Sequence, residues 1–414
     1  MSLELRQIAV EDISFSEQNE CYAKHLLFNS QSLSEFLEDK DDRIQSVVVH
    51  LAKPNEATRI ICVKDVVEPR CKITGTSKGQ GQALILKNVA VVTCGQIVGF
   101  QEGIIDMSGP AAAYNPFSKN LNVVLEINVV QGISQYDHEQ TIRNAGFFAA
   151  EYLARIAVDA EPDKVETISE LEPTAVDQDL PRIAYVYLLL SQGLLHDTYV
   201  LGRHAKEGLP CSLSLPVLMD DAIISGNCVS ACDKNTTWHH QNNPVLQQLM
   251  QAHNKDLNFV GTVLSNLPIR LASKKESADQ AEQLVNSLQP QGVIISKEGF
   301  GNPDADLMML IHKLENAGVK TVAITDEFAG PNGASQSLAD NTPEADAIIS
   351  TGNANQKIVL PPMQKTIGPV QHLASLSGAY PQSLRQDGSI EIELQGIIGA
   401  TNEMGSNTLS CKGV

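Results

Sequence analysis

The chain has 414 residues, 43% of them hydrophobic and 19% charged, with a formal net charge of -19. That composition belongs to a folded protein large enough for two cores and excludes a disordered chain. The acidic excess excludes a nucleic-acid-binding surface, which needs clustered Lys and Arg, so no nucleic-acid partner is expected. The N-terminal "MSLELRQIAVEDISF" interrupts its apolar residues with Glu4, Arg6 and Glu11, leaving neither a signal-peptide core nor a bilayer span. A cytoplasmic location without a membrane partner is expected. Eight cysteines in this length do not form a dense disulfide framework, and most are expected to be buried thiols.

In chain order, the first half is strand-rich. The stretches 42–52, 58–67, 83–100 and 120–130 carry β-branched runs separated by Gly, Pro and Asn. Residues 138–157 repeat apolar positions at helical spacing, with Asp137 as the expected cap. Together these predict a strand-rich α+β domain over 1–158. The acidic, proline-bearing stretch 159–181 reads as a linker. From 182 to 414 the rhythm changes to an α/β domain. Short apolar runs at 182–190, 258–266, 292–298, 320–327 and 346–351 alternate with helical segments, the pattern of a mostly parallel, helix-covered sheet.

Ligands of such sheets sit beyond the carboxyl ends of the strands. Three loops have that placement, 296–306, 325–337 and 350–356, and they carry Glu298, Asp304, Asp326 and Glu327 as candidate substrate-binding residues. Each loop singly is also explained by turn-forming glycines, and Asn302 before Pro303 reads as a helix cap. His196, just past the 182–190 run, is a further candidate for proton transfer, with a turn-bound histidine as its plain alternative.

The stretch "GNCVSACDKNTTWHHQNN", 226–243, is unusual in its density of reactive side chains. Buried cysteines and turn-forming Asn, Asp and Thr explain any one residue of it. Zinc is a second reading, from Cys228, Cys232, His239 and His240, but adjacent histidines on a strand face opposite ways. A dithiol, Cys228 with Cys232, lacks the usual two-residue spacing. The fourth reading is self-processing. The Cys228 thiol, made more nucleophilic by Lys234 or a histidine, attacks the Asn227 carbonyl and converts the amide to a thioester. Elimination then breaks the chain, and the dehydroalanine left at residue 228 tautomerises and hydrolyses to a pyruvoyl group. Gly226 permits the strained turn, and Ser225 or Thr236 can stabilise the oxyanion.

"DDAIISGNCVSACDKNTTWHHQNNP" resembles the processing segment of the pyruvoyl-forming proprotein of component B of glycine, sarcosine and betaine reductases, and is related to that of the D-proline reductase proprotein. "VKDVVEPR", "VGFQEGIIDMSGP", "QGLLHDTYV", "KDLNFVG", "GVIISKEGFGNPDADL" and "GASQSLADNTPEADAI" resemble the same family in the same order; the stretch 70–84 is shorter than the family's glycine-rich excursion. The resemblance implies an oxidoreductase subunit that cleaves at Asn227–Cys228, with the pyruvoyl group from Cys228 as its covalent cofactor and no metal. That ketone forms a Schiff base with a small amine substrate. A selenocysteine on a separate component B subunit then displaces nitrogen, and the carboxymethyl group passes to the component A selenoprotein.

Within that scheme His239 or His240 shuttles protons. Lys234 or loop amides seat the substrate carboxylate, and Trp238, the only tryptophan, can face a methylated ammonium or serve as a packing anchor. The alternative of a different class is a non-catalytic amino-acid-binding protein of the same fold.

Overall fold

The computed structural model describes residues 2–98, 102–171, 179–193, 195, 197–226, 235–404 and 410–411. All ten residues of Thr58–Val67 and all seven of Val89–Gly95 are buried, which is why they read as unbroken apolar runs: their sheet is covered on both faces. Its order is Gly103–Asp106, Thr58–Val67, Val89–Gly95, Leu121–Val129, Ile44–Ala52. Val89 and Val91 pack with the helix Gln135–Ile156, whereas Ala90, Val92 and Cys94 pack on the other face with Phe117, Ile367 and Ile398. The register shifts between Val63 and Asp65, a bulge of the kind that re-aims side chains.

Three local expectations differ from what is observed. The helix begins at Gln135 with Ser134 as its cap, because Ser134 Oγ accepts from Asp137 N at 3.1 Å while Asp137 turns its carboxylate to Arg43 at 3.0 Å. Within the expected linker, Lys164–Ser169 is a strand pairing antiparallel with Ser2–Ala9, at the edge of a sheet completed by Gly81–Lys87 and Arg70–Thr74. Residues 172–178 lie outside the described residues. Asn302 is the first residue of the helix Asn302–Asn316, and its cap is Gly301, whose φ of 78° suits glycine and whose N–H meets Asp304 at 3.3 Å.

A seven-stranded sheet holds the second half in the order Cys211–Leu213, Asn258–Asn266, Arg182–Leu189, Gly292–Lys297, Lys320–Glu327, Ile348–Asn353, Ser410–Cys411. Pairing is parallel from Asn258–Asn266 through Ile348–Asn353 and antiparallel at the two outer strands. Along the central strand, Ala184, Val186 and Leu188 pack with the helices Leu271–Ser287 and Asn302–Asn316. Tyr185, Tyr187 and Leu189 alternate to the other face, against Leu246 and Leu249 of Pro244–Ala252 and Leu3, Leu5 and Ile85 of the four-stranded sheet. Past the last parallel strand the chain returns to the first half, where Lys365–Ile367 pairs in parallel with Thr58–Ile60. Among the described residues no helix is long and apolar enough to cross a membrane.

Candidate active site

Because five strands run parallel, the chain leaves Arg182–Leu189, Gly292–Lys297, Lys320–Glu327 and Ile348–Asn353 at one carboxyl edge. The described flanks of residues 227–234 meet that edge. Asn227, Cys228, Cys232, Lys234 and His196 themselves lie outside the described residues.

On the upstream side, Ile223–Ser225 pairs with Thr198–Val200, and Gly226 N donates to Asp197 O at 2.6 Å. On the downstream side, Thr236 caps the short helix Thr237–Gln241. The two sides are joined directly. Ser225 N donates to Thr237 Oγ1 at 3.1 Å, and that hydroxyl donates to Asp65 Oδ2 at 2.6 Å while Thr237 N donates to Asp65 Oδ1 at 2.9 Å. The bulge in Thr58–Val67 thus supplies the carboxylate on which both flanks converge. Ser225 Oγ donates to Gly226 O at 2.9 Å, and Gln241 ties the helix back to Glu68 N at 2.8 Å.

The adjacent histidines serve different partners because a helix, unlike a strand, sends neighbouring side chains about 100° apart. His239 closes a capping box: its Nδ1 accepts from Thr236 N at 3.1 Å. Its ring is fully buried, edge-on to Phe117 and Trp238, and burial holds its pKa down at about 3. Gly399 lies beneath it at a φ of +72°, and a Cβ there would come within 2.8 Å of His239 Cε1. His240 points to the sheet instead. Its Nδ1 lies 3.0 Å from the Tyr187 hydroxyl, and its Nε2 lies 3.8 Å from Glu298 Oε1. Asn235 donates to the Tyr187 oxygen at 2.6 Å, which leaves the phenol proton for His240 Nδ1 and the ring proton on Nε2, toward Glu298. Tyr187, His240 and Glu298 form a buried chain of groups able to hold or pass a proton, and Asn235 fixes the phenol at its end. Glu298 is itself fixed by Leu190 N at 2.5 Å.

The other loop acids go elsewhere. Asp304 binds the fully buried Lys297 at 2.5 Å and receives Ala339 N at 2.7 Å. Glu327 accepts from Ser337 at 2.9 Å and from Ser350. Asp326 is buried beside Glu403. Trp238, half-buried, packs against Phe117 at 5.4 Å on the first sheet. Sequence reasoning missed Asn235, Tyr187, Asn402 and Glu403. Asn402 donates to Asn235 Oδ1, and Asn235 donates to Glu403 Oε1, contacts that no local pattern announces. Burial first, then the neighbouring Glu298 charge, pushes the Glu403 carboxyl and the Tyr187 phenol well above their ordinary values. Elsewhere at this edge, a cavity of about 380 Å³ is lined by Ser191, Asn266 and Ser277 together with the cations Lys206 and Arg270.

Comparison with known proteins agrees with this reading of the sequence. The family model for glycine/sarcosine/betaine reductase component B subunits matches residues 1–412. Three relatives from Peptoclostridium acidaminophilum align over the whole of both chains. "Glycine reductase complex component B subunits alpha and beta" is 47% identical, "Sarcosine reductase complex component B subunit alpha" 46%, and "Betaine reductase complex component B subunit alpha" 34%. No solved structure matches. The chain belongs to the family of glycine/sarcosine/betaine reductase component B subunits.

Proposed function

We propose that this chain, as component B of a multi-protein reductase, is a self-processing proprotein that cuts itself between Asn227 and Cys228 and uses the resulting N-terminal pyruvoyl group to activate a small amine. The observation that carries the reading is the bond from Ser225 N to Thr237 Oγ1. Residues on both sides of the scissile bond are held to each other and to Asp65, so the chain can break between them while both flanks stay in place. The name of the 47% identical relative, which counts two subunits over one chain of matching length, supports the same division.

Cleavage needs only groups of this chain. The Cys228 thiol adds to the Asn227 carbonyl and the amide nitrogen takes a proton, giving a thioester. Removal of the Cys228 α-proton expels the Asn227 thiocarboxylate, and water then releases ammonia from residue 228. His240, hydrogen-bonded to Tyr187 and facing Glu298, is the proton carrier we assign; His239, locked in its capping box, orients Thr236. Ser225, Gly226 and Lys234 support the processing turn.

Asn235 and Tyr187 spend their donors within the site, and the buried polar surroundings they make at the end of the segment suit a small uncharged ketone that asks for no counter-charge. A pyruvoyl ketone at residue 228 supplies an electrophile for an amine and an electron sink for its C–N bond. Lys206 and Arg270, in the cavity they share with Glu276 at this edge, are the cationic seat we assign to the substrate carboxylate. Glycine or sarcosine fits better than betaine, whose quaternary nitrogen cannot condense with a ketone, and the identities of 47% and 46% against 34% run the same way. The sequence holds no selenocysteine, so the displacing selenolate belongs to a partner subunit. Intact mass of the purified protein tests the reading. Fragments of 227 and 187 residues, about 25 and 20 kDa, with only the smaller one labelled by a hydrazine, are expected. A single unlabelled chain would overturn it.

A further inference from the structure

Asn235 is the first described residue after the processing segment, and Glu403 reaches it from 168 positions away. We propose that Glu403 is a positioning residue for self-cleavage, fixing the downstream end of the 227–234 segment through its hydrogen bond with Asn235. The proposal rests on the self-processing reading above.

The amide of Asn235 is fully committed. One N–H goes to Glu403 Oε1, the other to the Tyr187 hydroxyl at 2.6 Å, and its carbonyl accepts from Asn402 Nδ2. It cannot turn without leaving buried groups unpaired, which makes its orientation costly to change. The turn that delivers Glu403 is anchored as firmly. Thr401 O accepts from Thr351 Oγ1 at 2.7 Å, at the end of a parallel strand, and Met404 N donates to Asn402 Oδ1 at 2.9 Å. Asn235 and Glu403 both lie in the 228–414 fragment, so the clamp outlasts the cut.

A second observation separates Glu403 from an ordinary buried acid. Its side chain is 1% exposed, and Oε2 meets no hydrogen-bond partner among the described residues. Burial first, with Glu298 and Asp326 close by, pushes the carboxyl well above its ordinary range and so favours the neutral form, in which Oε1 still accepts from Asn235. The requirement is therefore an accepting oxygen at a fixed reach.

Substitution of the full-length chain tests this, with cleavage followed by intact mass over time and folding by thermal melting. Glu403→Ala and Asn402→Ala should each slow cleavage at least ten-fold while melting within a few degrees of the parent. Glu403→Asp keeps the acid but withdraws it by one methylene and should be similarly slow. Glu403→Gln keeps reach, neutrality and an accepting oxygen, and should cleave within about three-fold of the parent. A folded Glu403→Ala that matches the parent's rate overturns the proposal while leaving self-processing intact. If the alanine variant does not fold, Glu403→Gln and Glu403→Asp decide: a Gln variant no faster than the Asp variant overturns it. A parent that stays whole overturns the self-processing reading, and this proposal with it.

Discussion

Replacing Thr237 by valine removes the hydroxyl that joins the two flanks while nearly preserving side-chain volume. Thr237, Ser225 and Asp65 are all buried, so the loss is not made good by bulk water. Two bonds go at once: the charge-assisted one to Asp65 Oδ2 at 2.6 Å and the one from Ser225 N at 3.1 Å. A hydrogen bond to a charged group contributes about 1.5 to 3 kcal/mol, and a buried N–H left unpaired costs about 1 to 3 kcal/mol. Asp65 keeps Thr237 N at 2.9 Å, which limits the total. We expect a destabilisation of about 3 to 5 kcal/mol for Thr237→Val and about 1 kcal/mol for Thr237→Ser, which retains the hydroxyl. Urea unfolding in a Cys228→Ala background, where every molecule is one chain, measures it. Hydrogen exchange of the Ser225 amide gives the local readout and should accelerate in the valine variant alone. With Cys228 restored, cleavage should slow in the same variant. A valine variant within 1 kcal/mol of the serine variant, with unchanged exchange and cleavage, would refute the idea that this hydroxyl pins the flanks.

The remaining predictions test other parts of the site. Cys228→Ala should abolish both fragments with the fold retained, and Cys232→Ala should leave cleavage intact, as gel electrophoresis would resolve; a zinc or dithiol site would need both sulfurs. His239 titrates near pH 3 when folded against about 6.5 unfolded, so below pH 6.5 the unfolded chain binds the extra proton and stability falls as pH drops. His239→Gln, which can keep the capping box, should therefore shrink the stability lost between pH 7 and pH 5 by about 2 kcal/mol in denaturant titrations. Asp304→Ala leaves Lys297 charged and buried, and should cost about 3 to 5 kcal/mol in the same assay; a near-neutral result would return Asp304 to a purely substrate-facing role.

Much of this architecture can be read from residue order, because the signals involved are local. The runs at 58–67, 258–266 and 292–298 are strands because β-branched residues with both faces covered leave an unbroken apolar signature. Lys164–Ser169 escaped notice because an edge strand needs only one inward residue, and Ile168 is the one buried there. The caps Ser134 and Gly301 lie three and one positions before those expected, because Ser134 reaches the Asp137 N–H while Asp137 is drawn to Arg43, and because Gly301 takes a φ of 78° that suits glycine. The candidate site is legible only in part, for a different reason. Glu298 and the His239–His240 pair stand out by type, and the helix then divides the two histidines between a cap and a relay. Tyr187 reads as one more apolar residue of its strand, and Glu403 meets Asn235 only through the tertiary fold.

The order of the seven-stranded sheet bears on what a cut at residue 228 leaves behind. Arg182–Leu189 would belong to the larger fragment, yet both its neighbours, Asn258–Asn266 and Gly292–Lys297, would belong to the smaller one. The fragments are therefore interleaved rather than docked. Neither would own the seven-stranded sheet, and in the smaller fragment Asn258–Asn266 would be parted from the other four strands by the missing Arg182–Leu189. Folding would have to come first, as a single chain, and such a cut would then remove the covalent tether that made the pairing intramolecular. Once unfolded, the two pieces would have to find each other as a bimolecular event, so a cleaved protein would carry a record of its own assembly that it could not rewrite.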